Sequence, residues 1–206
     1  MLNLLLKYII NFLFFVIKPS FFRFINKRFN QIYTHWKVNE FKKASSIFLC
    51  YPLYLKGGQY IEIGNNVDFD QRFCLEAIDS FLNEKFKPTI VFGDNVSIQK
   101  DCHIGAINKI IIGNNVLLAS KVYISDHSHG EITFEAIKIP PAKRKLFTKG
   151  PIIIEDNVWI GEGVVVLPNV TIGQNSIVGA NSVVTKSFPK NSVIAGNPAI
   201  LIRKLQ

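Results

Sequence analysis

The sequence predicts an all-β solenoid of about five three-sided coils, preceded by a helical segment and interrupted by one long extruded loop. Three observations predict it. First, apolar residues recur at every sixth position in four runs of three: Phe92, Ile98, Ile104; Ile112, Leu118, Ile124; Ile154, Ile160, Val166; and Ile172, Val178, Val184. With 48% of the chain hydrophobic, twelve such hits have a chance probability on the order of 10⁻⁴ before the choice of register, so the period is a property of the fold. Second, the residue after the apolar one is repeatedly glycine (Gly64, Gly93, Gly105, Gly113, Gly161, Gly173, Gly179), and asparagine recurs two further on (Asn66, Asn95, Asn115, Asn157, Asn169, Asn175, Asn181). Third, residues 1–45 carry eight Lys or Arg against the single acid Glu40, together with eleven aromatic residues.

The basic, apolar segment 1–60 is expected to be helical and associated with a membrane or a subunit. In "LNLLLKYIINFLFFVI" (2–17) the polar residues Asn3, Lys7 and Asn11 fall four apart, along one stripe of an otherwise apolar helix. A membrane span needs about 20 apolar residues; this stretch is shorter and contains a lysine, and no small-residue cleavage site follows, so a cleaved secretory signal is not expected. Two readings stay open: an interfacial helix held on anionic lipid at the cytoplasmic face of a membrane, or an apolar helix packed on the main domain or on a partner subunit. The whole-chain charge of +9 also suits nucleic acid, but no recognition module accompanies it, and no nucleic-acid partner is expected.

Residues 61–188 are the solenoid. Position five of each hexad is small or β-branched, as at Val67, Val96, Cys102, Val116, Val158, Val170 and Ser182, which suits a short strand. Asparagine tolerates the left-handed backbone conformation of a tight corner. Each hexad is therefore one short strand and one corner, and three hexads close one turn of a prism. Strands this short bury nothing alone, so successive turns must stack, about 4.8 Å apart. The count is broken at 78–91, by a two-residue excess between 105 and 111, and by the long excursion 127–151. Cys50, Cys74 and Cys102 are too few and too scattered for a disulfide framework, which favours a cytoplasmic compartment.

The hexads, together with "DHSH", "VWIGEGVVVLPNVTIGQNSIVGANSVVTKSFP" and "IAGNPA", resemble the hexapeptide-repeat O-acetyltransferases, and especially those that acetylate sugars of lipopolysaccharide and capsule. The resemblance spans about residues 60–205 and leaves the N-terminal 60 uncovered. It implies a left-handed parallel β-helix, a homotrimer with sites between subunits, and acetyl-CoA as donor.

His127 opens the long excursion from a corner slot, where a rigid scaffold meets a loop. Acetylating a hydroxyl requires a base to take its proton, and imidazole suits that role near neutral pH; in the resembled family the matching histidine does this. Asp126, or another acid or carbonyl, would fix the tautomer. His129 and Glu76 are candidates for contacting the acceptor sugar. For the donor, the resemblance implies Trp159 at the reactive end of the groove, Gly161 and Ala180 along the pantetheine arm, Thr185 and Lys186 near the nucleotide phosphates, and Pro198 and Arg203, in the tail 189–206, near the adenine. Ile200 departs from relatives that carry arginine there. The basic stretch 142–150 adds Lys143, Arg144, Lys145 and Lys149. A zinc site built on His103, His127 and His129 lacks the spacing of the metal-binding class of this prism, so no metal is expected, and His103 reads as an outward surface residue.

The sequence thus points to a sugar O-acetyltransferase of surface-polysaccharide synthesis, cytoplasmic or peripheral at the inner face of the membrane, acting on an acceptor that is lipid-linked in one version. Its alternatives are an acetyltransferase for a soluble amino-sugar, nucleotide-sugar or xenobiotic, and a non-catalytic solenoid binding protein. A sugar nucleotidyltransferase is not expected, because the segment before the coils is short and lacks a glycine-rich phosphate loop.

Overall fold

The computed structural model describes residues 3–16 and 18–205; Leu2 and Ile17 of the expected helix lie outside them. Two helices, α1 (Leu4–Val16) and α2 (Pro19–Lys37), precede three parallel sheets that form the faces of a prism. The first face stacks Lys43–Ala44, Ile61–Ile63, Thr89–Phe92, Lys109–Ile112, Ile152–Ile154 and Thr171–Ile172. The second stacks Ile47–Leu49, Val67–Phe69, Ser97–Ile98, Leu117–Leu118, Trp159–Ile160, Ile177–Val178 and Ser192–Gly196, closed by Ala199–Lys204. The third stacks Leu53–Lys56, Phe73–Ala77, His103–Ala106, Tyr123–Ser125, Val165–Val166 and Val183–Val184. The chain visits the faces in this order on every turn, so the architecture is a three-sided parallel β-helix.

Each sixth apolar residue lands on an interior column. Ile63, Phe92, Ile112, Ile154 and Ile172 are successive register partners on the first face. Phe69, Ile98, Leu118, Ile160 and Val178 line up on the second, and Leu75, Ile104, Ile124, Val166 and Val184 on the third. All fifteen are buried, and burial of each such side chain contributes about 1.5–3 kcal/mol.

The asparagine corners are a second ordered column. Asn66, Asn95, Asn115, Asn157, Asn175 and Asn191 have φ between 54° and 59°. Each of the first five donates its side-chain amide to the carboxamide oxygen of the next, at 3.0–3.1 Å. The corner conformation and the polar ladder thus select the same residue.

The solenoid begins earlier than the hexads indicate, and among the described residues it makes six complete turns where about five were expected. Ala44, Leu49 and Leu55, inside the segment assigned as helical, pair in register with Ile63, Phe69 and Leu75. Their spacing is five and then six, because the corner Ser45–Ser46 is one residue shorter than Gly64–Asn65–Asn66, and it carries neither glycine nor asparagine. That shortened corner hides the first turn from a search at a fixed period.

One side of α2 seals the exposed rim of this turn. Leu49 N–H donates to Thr34 Oγ1 (2.8 Å), Tyr51 N–H to Asn30 Oδ1 (3.1 Å) and Leu53 N–H to the Tyr33 hydroxyl (3.2 Å). These three amides would otherwise be an open sheet edge. Packing on the main domain, one of the two readings for the N-terminal segment, therefore holds for this side of α2. At the other end Ala199–Lys204 folds back antiparallel on Ser192–Gly196 and ends the stack.

Both large interruptions are compact excursions. Residues 78–91 contain a hairpin, Ser80–Phe81 with Glu84–Lys85. In the longer one Ser128–His129 pairs antiparallel with Leu146–Phe147, and a one-turn helix, Phe134–Ile137, lies between them.

Candidate active site

The third face ends at Ser125, and the next two residues leave the prism. Asp126 is fully buried. Its carboxylate accepts hydrogen bonds from the backbone N–H of Ile107 (2.9 Å, Oδ1), Asn108 (2.9 Å, Oδ2) and Lys109 (2.8 Å, Oδ2). These amides belong to the widened corner made by the two-residue excess after Gly105, so that irregularity has a structural use: it presents three donors to one buried charge, which would otherwise be costly to bury. Asp126 Oδ1 also meets His127 Nδ1 at 3.1 Å. A carboxylate only accepts, so Nδ1 carries the proton and Nε2 keeps its lone pair. Ser125 Oγ lies 3.3 Å from the same nitrogen while donating to the His127 carbonyl (3.1 Å), which pins the ring further. The His127 side chain is 13% exposed: positioned, yet reachable.

His127 opens onto a cleft of about 370 Å³ whose walls include Glu76, His103, Tyr123, Ser125 and His129. Its floor is Gly105. In register, Gly105 lies between Glu76 and Ser125 on neighbouring strands, and lacking a side chain it leaves the hollow open. A Cβ there would stand 3.4 Å from His127 Cε1 and 3.7 Å from His103 Nε2. Glu76 and His103 form a half-exposed pair, Oε2 to Nε2 at 3.1 Å, and Tyr123 meets the His103 ring edge-on at 5.2 Å between centroids. His103 faces outward, but as part of the cleft wall rather than as an ordinary surface residue. Its register with Cys74 and Tyr123, two residues before the floor glycine, was the signal the spacing argument passed over.

The two excursions meet above this cleft. His129 packs edge-on against Phe81 of the hairpin at 5.4 Å, and Lys145 pairs with Glu84 at 2.6 Å. Arg144 donates to the carbonyls of Ile139 (2.7 Å) and Ile137 (3.4 Å). Two of the four loop cations are thus occupied in holding the excursions' shape, while Lys143 and Lys149 stay exposed.

The histidines considered as zinc ligands do not form that set. Among the described residues the group whose ligand atoms converge, within 4.8 Å of one another, is Cys74, Glu76 and His103. Burial, reinforced by the Glu76 carboxylate, pushes the Cys74 thiol up to about 11, which keeps it protonated.

The donor candidates lie elsewhere on the prism. Trp159 is half-exposed on the second face, in register between Leu117 and Ile177. Gly161 follows at the corner between the second and third faces, pressed so closely on Ala180 that a Cβ would stand 2.7 Å from the Ala180 nitrogen. Thr185 and Lys186 are exposed past the last third-face strand, and Pro198 and Arg203 lie on the exposed terminal hairpin. His127 stands at the corner between the third and first faces. On one prism Trp159, Gly161 and Ala180 therefore lie away from the His127 edge, whereas Thr185 and Lys186 leave the third face at the same corner as His127, two turns further along.

Comparison with known proteins agrees with this architecture. Residues 151–186 match the family described as bacterial transferase hexapeptide (six repeats). The chain is 39% identical over 158 residues to a putative lipopolysaccharide-biosynthesis O-acetyltransferase of Escherichia coli K12, covering 75% of this chain and 76% of that protein. A maltose O-acetyltransferase from Clostridium difficile 630 superposes with a TM-score of 0.54 at 29% identity, over 81% of this chain and 70% of that one. AntD, an N-acyltransferase from Bacillus cereus solved with dTDP and coenzyme A, shares the fold at a TM-score of 0.67 and 20% identity, over 84% and 88% of the two chains. The prism is the left-handed parallel β-helix of these proteins, and the chain belongs to the hexapeptide-repeat acetyltransferases.

Proposed function

We propose that this enzyme transfers the acetyl group of acetyl-CoA to a sugar hydroxyl during synthesis of a surface polysaccharide, with His127 as general base. The observation that carries the reading is the Asp126–His127 contact, which leaves Nε2 as the free acceptor at the wall of a cleft. Nε2 takes the hydroxyl proton as the sugar oxygen attacks the thioester carbonyl carbon. The carbon–sulfur bond then breaks, and the proton held by His127 passes to the departing thiolate. The Asp126 carboxylate, hydrogen-bonded to Nδ1, steadies the imidazolium while it exists.

Glu76 and His103 suit a sugar diol, one group accepting from a hydroxyl and the other presenting a ring nitrogen that donates or accepts. The donor is read along Trp159, Gly161, Ala180, Thr185, Lys186, Pro198 and Arg203, with Thr185 and Lys186 near its phosphates and Pro198 and Arg203 near its adenine. Since Trp159, Gly161 and Ala180 and the His127 edge are separate on one prism, the reading includes a homotrimer in which each site is shared by neighbouring copies.

The test is CoA release measured across lipid-linked oligosaccharides and free sugars, with the His127→Ala variant alongside. Turnover on a carrier-linked or polysaccharide-derived sugar supports the reading. Turnover confined to a soluble amino-sugar, nucleotide-sugar or xenobiotic overturns the assigned acceptor, and the likeness to a maltose O-acetyltransferase makes a free sugar the second reading. Absence of CoA release from any acceptor returns the prism to a binding role.

A further inference from the structure

The side of α2 that does not seal the solenoid carries an unpartnered apolar stripe. Asn30, Tyr33 and Thr34 face the first turn. Phe21, Ile25, Ile32 and Trp36 line the opposite side, with Phe22 and Phe29 at its border, each between 48% and 72% exposed, and Phe29 meets Tyr51 of the first turn edge-on at 5.6 Å between centroids. Arg28 lies along its flank, Arg23 and Lys27 on the side of Asn30 and Thr34, and among the described residues none of the three meets a carboxylate. α1 is apolar and exposed as well, with Tyr8, Phe12, Phe14 and Phe15 between 66% and 83% exposed, and the two helices meet at 70°. Among the described residues no single helix is long and apolar enough to cross a membrane, and only as a bent pair do the two helices reach that length and composition. At 1.5 Å per residue, α1 would reach about 20 Å, short of the roughly 30 Å hydrocarbon core.

We infer that α1 and the outer side of α2 form an interfacial anchor that lies in the headgroup region of an anionic bilayer. The physics has two parts. The stripe gains by leaving water for the acyl boundary, and the cations on the remaining faces of the helix are attracted to the anionic surface above it. A second copy of this chain is a poorer occupant, because its own α1 and α2 carry no Asp or Glu to answer these cations. The hydrogen bonds from α2 to Leu49, Tyr51 and Leu53 make the anchor rigid with respect to the prism. The first coil is thereby held at the surface, at the cytoplasmic leaflet where acyl-CoA is available. Delivery of the acceptor on a lipid carrier rests on the acetyl-transfer reading above; binding of lipid does not.

The experiment is co-sedimentation of the full chain with vesicles of phosphatidylcholine alone or with 30% phosphatidylglycerol, alongside acetylation of a soluble sugar by the same samples. Binding to the anionic vesicles is expected, weakening about 100-fold when Arg23, Lys27 and Arg28 are all changed to Gln, since each cation near the surface supplies about one factor of five. Ile25→Glu with Ile32→Glu is expected to abolish binding to both vesicle types. Neither set of changes touches the cleft, so turnover of the soluble sugar is expected to persist. If sugar turnover fails while vesicle binding holds, the catalytic reading falls and the anchor stands. Vesicle binding equal in the parent and both variants overturns the anchor. So does absence of binding by the parent coupled with a concentration-dependent oligomer that the double-glutamate variant dissolves, which would assign the stripe to a second copy.

Discussion

Asp126 and His127 are joined by one hydrogen bond, Oδ1 to Nδ1 at 3.1 Å, and the same carboxylate is held by three backbone amides of the preceding corner. An orienting group is thus itself oriented, and the ring it steadies has only Nε2 left to face the cleft. The arrangement makes the tautomer of His127 a property of the fold.

Asp126→Asn tests that relationship. The carboxamide offers one acceptor oxygen where the carboxylate had two, and its NH₂ can face Nδ1, favouring the wrong tautomer. The rate constant kcat is expected to fall about 10²–10⁴-fold with little change in KM, and stability by about 1–3 kcal/mol as a corner amide loses its partner. Steady-state kinetics with urea melts read both.

Gly105→Val fills the floor of the cleft. The first added carbon already stands at contact distance from both His127 and His103, and the branches occupy the hollow itself. The melting temperature is expected to shift by only a few degrees, whereas KM for the acceptor rises at least about tenfold. An unchanged acceptor KM would remove the hollow from the acceptor site.

Asn115→Ala breaks the corner ladder at its middle. The residue sits at φ 55° and bridges Asn95 and Asn157, so the variant loses two hydrogen bonds and places a Cβ residue without side-chain compensation in left-handed backbone. A loss of about 1–3 kcal/mol is expected by chemical denaturation, and Asn115→Gly should lose less because the backbone strain is relieved.

The Cys74 thiol gives a pH-dependent readout of the cleft. Burial is the larger cause of its rise to about 11 and the Glu76 charge the next. Only the thiolate alkylates, so iodoacetamide labelling of Cys74 is expected to stay slow at pH 8 and accelerate as pH approaches 11. Glu76→Gln removes a negative charge that opposes ionisation, so the acceleration should move to lower pH; a profile unchanged by that variant would separate the two side chains.

Much of this fold was legible before any coordinates. The twelve apolar hexad positions all fall on interior columns, and the asparagines singled out for corners have left-handed φ. What was hidden has a local cause. The first coil uses a corner one residue short, so Ala44, Leu49 and Leu55 do not repeat at six. In the cleft, Glu76 and His127 were visible as chemistry. His103 was passed over because its importance comes from register with Cys74 and Tyr123 on strands 29 and 20 residues away, which sets it beside Glu76 and which a linear motif does not display. The sealing role of Asn30, Tyr33 and Thr34 is a tertiary match between one helix side and a sheet rim, and no spacing within α2 announces it.

The central claim is that His127 Nε2 removes the acceptor proton in a site that a neighbouring prism completes. It is tested most directly by mixing two inactive variants, His127→Ala and Trp159→Ala, after unfolding and joint refolding, and measuring CoA release. Each alone is expected to remain a folded oligomer with turnover reduced, His127→Ala by about 10³-fold or more. Mixed trimers should regain about one working site in three, because one interface then pairs an intact histidine with an intact tryptophan. Full turnover by His127→Ala alone, or mixed oligomers no more active than their parents, would contradict the account.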